Sequence, residues 1–284
     1  MEYSEEKKVE LKGPKASIMD IFMISLIKTR ELAETSVKNS SRFIAYVIFI
    51  SVLVATMTFA VPSASKISSF KGFRNLFMNK VPAFEMTNAG LVADKKFEMK
   101  LSNVTILMDT ELDQFRFGDF EREGVYIAIG SKYTKMLTIT DIEDDSSYNE
   151  TYVYPNNMLF PIGFSNSDLV KMIPGFYISL VFIYAMLAVF AAVKYILAAV
   201  IYAVVTRSLT AISKLPMTFT DALHMCFYAE TFGILIVNIN SALGYLISPL
   251  IVSAAGIIIT VFIIHKAMGP HMPDVDDILD KFGS

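Results

Sequence analysis

Three stretches of this chain are almost free of charge, and each is long enough to cross a lipid bilayer as a helix. A spanning helix needs roughly 20 apolar residues to cover a hydrocarbon core of about 30 Å. Phe43 to Val61 reads FIAYVIFISVLVATMTFAV, with Arg42 before it and Pro62, Ser63 and Lys66 after it. Met172 to Thr206 is longer than one perpendicular crossing needs, and Lys194 is its one interruption. Phe227 to Ile264 carries Glu230 as its only charge and is too long for a single span. Ser248-Pro249 breaks it, so it reads as a tight helical hairpin, one span ending before Pro249 and the next running from Leu250 to Ile264.

These stretches account for the composition. The chain is 54% hydrophobic and 19% charged, against roughly 45–50% and about 25% in soluble domains. A soluble enzyme and a disordered chain are excluded. With 25 Lys+Arg against 28 Asp+Glu, there is no basic excess to neutralise phosphates, which argues against nucleic acid as a partner. A single cysteine excludes a disulfide framework and a cysteine-based metal cluster.

The first stretch follows some forty polar-rich residues, whereas a cleaved signal peptide places its apolar region near the start. It reads as an uncleaved signal anchor. Lys and Arg near the span ends set orientation. The flanks of the first span are balanced: Lys28, Arg30, Lys38 and Arg42 precede it, and Lys66, Lys71, Arg74 and Lys80 follow. The second decides, with Lys171 alone before it and Lys194, Arg207 and Lys214 toward its end, and the last span ends at His265-Lys266. Both termini are therefore expected in the cytoplasm.

The fold class expected is an integral membrane, mainly α protein: a four-helix transmembrane bundle with a small β-rich extracytoplasmic domain inserted between the first and second spans. Residues 1–42 form a cytoplasmic N-terminal segment, 43–61 the first span, 62–171 the outer domain, 172–266 the other three spans and 267–284 a cytoplasmic acidic tail. In residues 14–38, Ile18, Ile21, Phe22, Leu26 and Ile27 recur at helical spacing among charges. That helix either lies on the membrane interface or packs on the protein's own cytoplasmic face.

In the outer segment, Phe97, Met99 and Leu101 alternate with Glu98, Lys100 and Ser102, and Val104, Ile106 and Met108 alternate after Ser102-Asn103. This predicts a strand, a turn and a strand. Val125 to Ile129 and Tyr133 to Ile139 flank Gly130-Ser131, which fits a two-residue turn with glycine first. A mainly β domain is expected from Pro82 to Ile142, followed by an exposed acidic loop from Asp141 to Tyr148 and an irregular return from Tyr152 to Ser167.

Candidate chemistry is sparse. Asp109, Glu111 and Asp113 have calcium-loop spacing, but Gln114 and Phe120 stand where the glycine and the bidentate glutamate belong, so a solvated acidic loop is the better reading. His224, His265 and His271 share no ligand spacing, and Cys226 has no partner cysteine. Nucleotide-binding glycine loops, nucleophile elbows and HExxH helices are absent. Polar residues inside spans are more telling, because a charge there is expensive and generally has a partner. Lys194 and Glu230 are expected at similar depth, near the cytoplasmic ends of the second and third spans. Asn238, Asn240 and Ser241 sit near the middle of the third. These residues either line a polar path or clamp the bundle by hydrogen bonds between helices. Gly244 and Ser248, four apart, would admit a neighbouring helix at close range.

Val81-Pro82-Ala83-Phe84-Glu85, Asn88-Ala89-Gly90-Leu91 and Val104-Thr105-Ile106-Leu107-Met108-Asp109-Thr110 together resemble motifs of a bacterial membrane-protein family, domain of unknown function 1189 (DUF1189). Some of its members are described as maltodextrin-utilisation proteins. Here Ala89 separates an asparagine and a glycine that adjoin in the family pattern. Residues 218–228, TFTDALHMCFY, are similar to the segment before a late span in this family and in the wider Yip1-like group, although the Asp-Leu-Tyr-Gly-Pro motif of eukaryotic Yip1 proteins is missing. The family has no established reaction, so the resemblance implies a bacterial plasma-membrane location and an architecture. The expectation is a non-enzymatic polytopic protein, accessory to transport or envelope processes through an outer ligand- or partner-binding domain. The alternative is a transporter or permease subunit with a polar path between the second and third spans. No cofactor or metal is expected, and the partners are the lipid bilayer and another membrane protein.

Overall fold

A computed structural model describes residues 16–101, 104–141, 148–212 and 217–269. Most of the acidic loop 141–148, Asn103, Lys214, His271 and nearly all of the C-terminal tail lie outside the described residues. In chain order, α1 (Ile18–Leu26), α2 (Leu32–Lys38), α3 (Phe43–Ala55), α4 (Val61–Ser69) and α5 (Phe73–Asn75) precede the strands. Then come β1 (Phe84–Thr87), β2 (Gly90–Ala93), β3 (Phe97–Leu101), β4 (Val104–Met108), β5 (Gly124–Ile129), β6 (Tyr133–Ile139) and β7 (Tyr148–Pro155). Helices α6 (Asn156–Leu159), α7 (Asn166–Lys171), α8 (Ile173–Ile212), α9 (Phe219–Ala242) and α10 (Pro249–Met268) follow. Among the described residues, four helical stretches are long and apolar enough to cross a membrane: Phe43–Ser69, Ile173–Ser208, Phe219–Ala242 and Pro249–Met268. The chain divides into two compact units, one of residues 1–64 with 181–284 and one of residues 65–180.

In the helical unit, α9 is the most enclosed element, with Ala222, Met225, Cys226, Phe227, Tyr228 and Ala229 fully buried. It begins well before the expected Phe227, because the Thr218 hydroxyl caps it by accepting from the Asp221 N–H at 3.2 Å. Helix α10 starts on Pro249, a position where the missing N–H costs nothing. The two pack antiparallel through Gly233 and Gly256: a Cβ on Gly233 would stand 2.9 Å from the Gly256 carbonyl oxygen. Close approach is thus made here, and not at Gly244 and Ser248 as expected. Gly244 has open space around it and a φ of +79°, so it serves the turn between the helices.

The first span continues past Val61 to Ser69 as one helical run. Its π-helical turn at Thr56–Ala60 ends two residues before Pro62, which cannot donate to the ladder. Helix α8 is unbroken over 40 residues, about 60 Å, so it must tilt or project from a 30 Å core.

Helices α1 and α2 form a small hairpin packed on α9 and α10. Ser17 and Asp20 exchange capping hydrogen bonds of 2.8 and 3.0 Å at the start of α1. The Asn39 side chain accepts from the Ala16 N–H at 3.0 Å and donates to the Thr35 carbonyl, closing the hairpin. Ile21, Ser25 and Leu32 are buried, whereas Met19, Met23 and Ile27 are exposed at a spacing of four. One face therefore packs on the protein, as the second sequence reading had it, and the other is an unpaired apolar stripe.

In the second unit, β1 and β2 form an antiparallel pair, and the other strands make one sheet in the order β3-β4-β5-β6-β7. The expected pairs are present as antiparallel ladders, Phe97 opposite Met108 and Gly124 opposite Ile139. Pairing of β4 with β5 is parallel. The β1–β2 hairpin and β7 were not expected, and β7 takes up the first four residues, 152–155, of the segment read as an irregular return.

Gly130 does not have the positive φ that a glycine-first turn requires. It is needed because the Asp113 and Leu112 carbonyl oxygens would lie 2.7 and 2.9 Å from a Cβ. Asn156, fully buried, donates to the Gly130 and Ser131 carbonyls at 2.7 and 2.9 Å and accepts from the Thr134 hydroxyl at 2.7 Å. One sheet face is covered by Phe115 and Phe120 on Tyr126, Ala128, Leu137 and Ile139, and β1–β2 closes the Met108 end of the other.

Candidate functional site

Two hydrogen bonds set the register of α8 against α9. Thr206 Oγ1 lies 3.5 Å from Cys226 Sγ, and Asn238 donates to the Tyr195 hydroxyl at 2.7 Å. The helices are antiparallel, so Glu230 lies level with the neighbourhood of Tyr202 and Lys194 lies about two turns away. The two residues are therefore not at the similar depth expected, because the α8–α9 register, which the span ends do not fix, offsets them. Lys194 and Glu230 nevertheless line one groove of about 150 Å³ between α8, α9 and α10, with Gly233, Ser253 and Thr260. No ion pair joins them among the described residues. Lys194 is exposed, its Nζ 5.1 Å from the centre of the Tyr195 ring. Glu230 is buried, and its Oε2 has no hydrogen-bond partner.

Asn238, Asn240 and Ser241 lie in the last turns of α9 and not near its middle, because the helix begins at Phe219 and ends at Ala242. The two asparagines hold it in different ways. Asn238 clamps α8 to α9 through Tyr195 and also donates to the Ile234 carbonyl at 2.6 Å. Asn240 donates to the Ile247 carbonyl at 2.8 Å and accepts from the Ile247 N–H at 3.0 Å, closing the turn into α10. Both backbone groups of Ile247 are satisfied this way. His224 packs against Phe43 with ring centres 4.1 Å apart and the rings tilted by 31°.

The second unit holds a larger cavity, about 390 Å³, that no single motif signalled. Strands β3 and β4 provide Glu98 and Leu107, the residue just after β4 is Asp109, and the 115–122 segment provides Phe115, Asp119, Glu121 and Arg122. Tyr126 forms part of the lining and donates to the Arg122 carbonyl at 2.6 Å. Burial, then the nearby Glu98 carboxylate, pushes the Tyr126 phenol up from its ordinary value. Lys96 reaches Asp109 at 2.7 Å and Glu111 at 3.6 Å, and the Asp109 hydrogen bond raises its ammonium from its ordinary value. Asp113 faces Lys132 at 2.8 Å. The acids with calcium-loop spacing thus point at lysines, and no trio of His, Cys, Asp or Glu suited to a metal occurs among the described residues. The cavity was missed because its residues converge from β3, β4, β5 and a loop. The only sequence signal was the density of charge among aromatics over residues 109–126.

A family model described as "Protein of unknown function (DUF1189)" matches residues 19–266, from α1 through nearly all of α10. No curated protein and no solved structure compared with the chain matches it. The chain belongs to the DUF1189 family of proteins of unknown function.

Proposed function

We propose that this protein is a non-enzymatic polytopic plasma-membrane protein whose β unit lies outside the cytoplasm and binds a small polar ligand. Its role is accessory to transport or envelope processes. One observation carries the reading: the β unit has a cavity of about 390 Å³ lined by charged groups and aromatic rings, within the range of roughly 300–1,000 Å³ usual for ligand sites. Four acids and two bases line it (Glu98, Asp109, Asp119 and Glu121 against Lys96 and Arg122), so the ligand carries a positive charge or hydroxyl groups. Resemblance to a family some of whose members are described as maltodextrin-utilisation proteins favours the hydroxyl-rich class. The bundle groove, at about 150 Å³, is small for a solute path, which ranks the transporter reading second.

The test is hydrogen–deuterium exchange on the full chain in nanodiscs, with maltotriose and spermidine as neutral and cationic probes. Protection of residues 115–122 by either, lost in Asp119→Asn/Glu121→Gln, supports the site. No protection by millimolar amounts of both would remove the support for these ligand classes. Orientation is tested by thiol labelling of intact cells in a Cys226→Ser background. Gly118→Cys should react with an impermeant reagent and Lys28→Cys should not. Lys194, Arg207 and Lys214 favour this orientation, and the four cations after the first span are balanced by the four before it; the reverse pattern would overturn it.

A further inference from the structure

Between Val61 and Phe84 the chain carries Lys66, Lys71, Arg74 and Lys80 and no acidic residue. All four cations are exposed, and no ion pair engages any of them among the described residues. The Lys66 ammonium stands 5.5 Å from the centre of the Phe70 ring. Sequence alone leaves this basic run on an open linker.

The fold pins it. Helix α4 ends where the Gly72 N–H donates to the Ile67 carbonyl at 2.9 Å, and Lys71 and Gly72 turn the chain back with φ of +59° and +89°. Phe73 then packs on Phe176 and Tyr177 of α8, with ring centres 5.8 and 5.3 Å apart, and Phe77 stands 5.5 Å from Phe176. Asn166 holds the far end of the segment by donating to the Phe77 and Pro82 carbonyls at 2.8 and 3.0 Å. Phe176 and Tyr177 belong to the first turns of α8. Just beyond them Ile178, Val181 and Phe182 turn bare apolar side chains outward. Such a surface on a spanning helix faces lipid, and an aromatic cluster at its edge marks the headgroup level.

We propose that residues 66–80 form a cationic collar that docks on the anionic phospholipid headgroups of the leaflet where the first span ends. Charge complementarity and direct continuity with the span select lipid as the occupant. A cation held near an anionic membrane surface strengthens association by up to about fivefold, and the effect fades within a Debye length. The collar therefore works only because the aromatic contacts hold it at that depth.

Because the chain contains no tryptophan, Phe70→Trp creates a single local fluorophore. Its emission is measured for the full chain in vesicles containing brominated phosphatidylglycerol or brominated phosphatidylcholine at equal mole fraction. Expected is stronger quenching by the anionic lipid, with the preference falling severalfold when Lys66→Gln, Lys71→Gln, Arg74→Gln and Lys80→Gln are added. Raising sodium chloride on Phe70→Trp alone should also erode it, which needs no charge-neutralised variant to fold. Equal quenching by both lipids, a preference indifferent to salt, or one that survives neutralisation would overturn the collar. A loss caused by inorganic phosphate beyond its ionic strength would mean a free-phosphate site and would overturn headgroup docking as well.

Discussion

The Tyr46 hydroxyl lies 2.9 Å from Thr231 Oγ1 and 3.2 Å from Ser25 Oγ, so one buried side chain ties α3 to both α9 and α1. Its ring also meets Tyr228 edge-on at 4.9 Å. Tyr46→Phe keeps the ring contacts and removes the hydroxyl. Ser25 still donates to the Ile21 carbonyl at 2.8 Å, so no donor is stranded. A loss of about 0.5–1.5 kcal/mol is expected in reversible unfolding in detergent. Tyr46→Ala, which also empties the ring site, should cost about 3–5 kcal/mol. Equal losses for the two would show that the ring contributes nothing, and no loss in Tyr46→Phe would show the same of the hydroxyl.

Glycines 233 and 244 should behave oppositely to their sequence appearance. Gly233→Ala drives a Cβ to 2.9 Å from the Gly256 carbonyl oxygen, and about 1–3 kcal/mol of destabilisation is expected as α10 is displaced. Gly244→Ala meets nothing within 4 Å and is disfavoured only by its φ of +79°, at about 1 kcal/mol. Thermal denaturation of the two variants side by side measures the contrast. A larger loss at 244 would move the helix contact to the turn.

Asn156→Ala should be among the most damaging single changes in the β unit. It strands the Gly130 carbonyl and the Thr134 hydroxyl together, while the Ser131 carbonyl keeps the Leu91 N–H at 2.7 Å, and about 2–4 kcal/mol is expected. Exchange protection at residues 129–134 reads the effect locally, and unchanged protection there would refute the role given to Asn156.

At acid pH, Asp168 gives a signed expectation. Lys171 at 2.8 Å and the Ser165 N–H hold its carboxyl below the ordinary aspartate value. A depressed carboxyl stabilises the folded state above the unfolded value, and that contribution fades as pH falls below about 4. Asp168→Asn should therefore lower the melting temperature at pH 7 and flatten its fall below pH 4. An unchanged acid slope would show that Asp168 takes no part.

Glu230→Gln tests the groove. Its Oε2 has no partner, so neutralising the carboxyl should leave thermal stability unchanged or raise it. A loss above about 1 kcal/mol, abolished in the Lys194→Met background, would restore a working ion pair.

The spans were legible from sequence because the bilayer imposes a length and a polarity that residues satisfy one by one. Phe43, Pro249 and the uncharged run after Met172 needed no knowledge of their neighbours. The hairpins at 97–108 and 124–139 were legible because alternation is local. The short β1–β2 pair was hidden by its length, and β7 by the asparagines, prolines and glycines that follow it.

What the sequence could not settle is the relation of one element to another. Whether Lys194 meets Glu230 depends on the α8–α9 register, which Tyr195–Asn238 and Thr206–Cys226 decide. Whether Gly130 serves a turn or a close approach depends on carbonyls from residues 112 and 113. Whether the cations at 66–80 hang free or lie at the membrane edge depends on Phe73 finding Phe176. Each is a contact between segments far apart in the chain. Periodicity and local propensity carry no information about such distances, which packing of the folded chain alone determines.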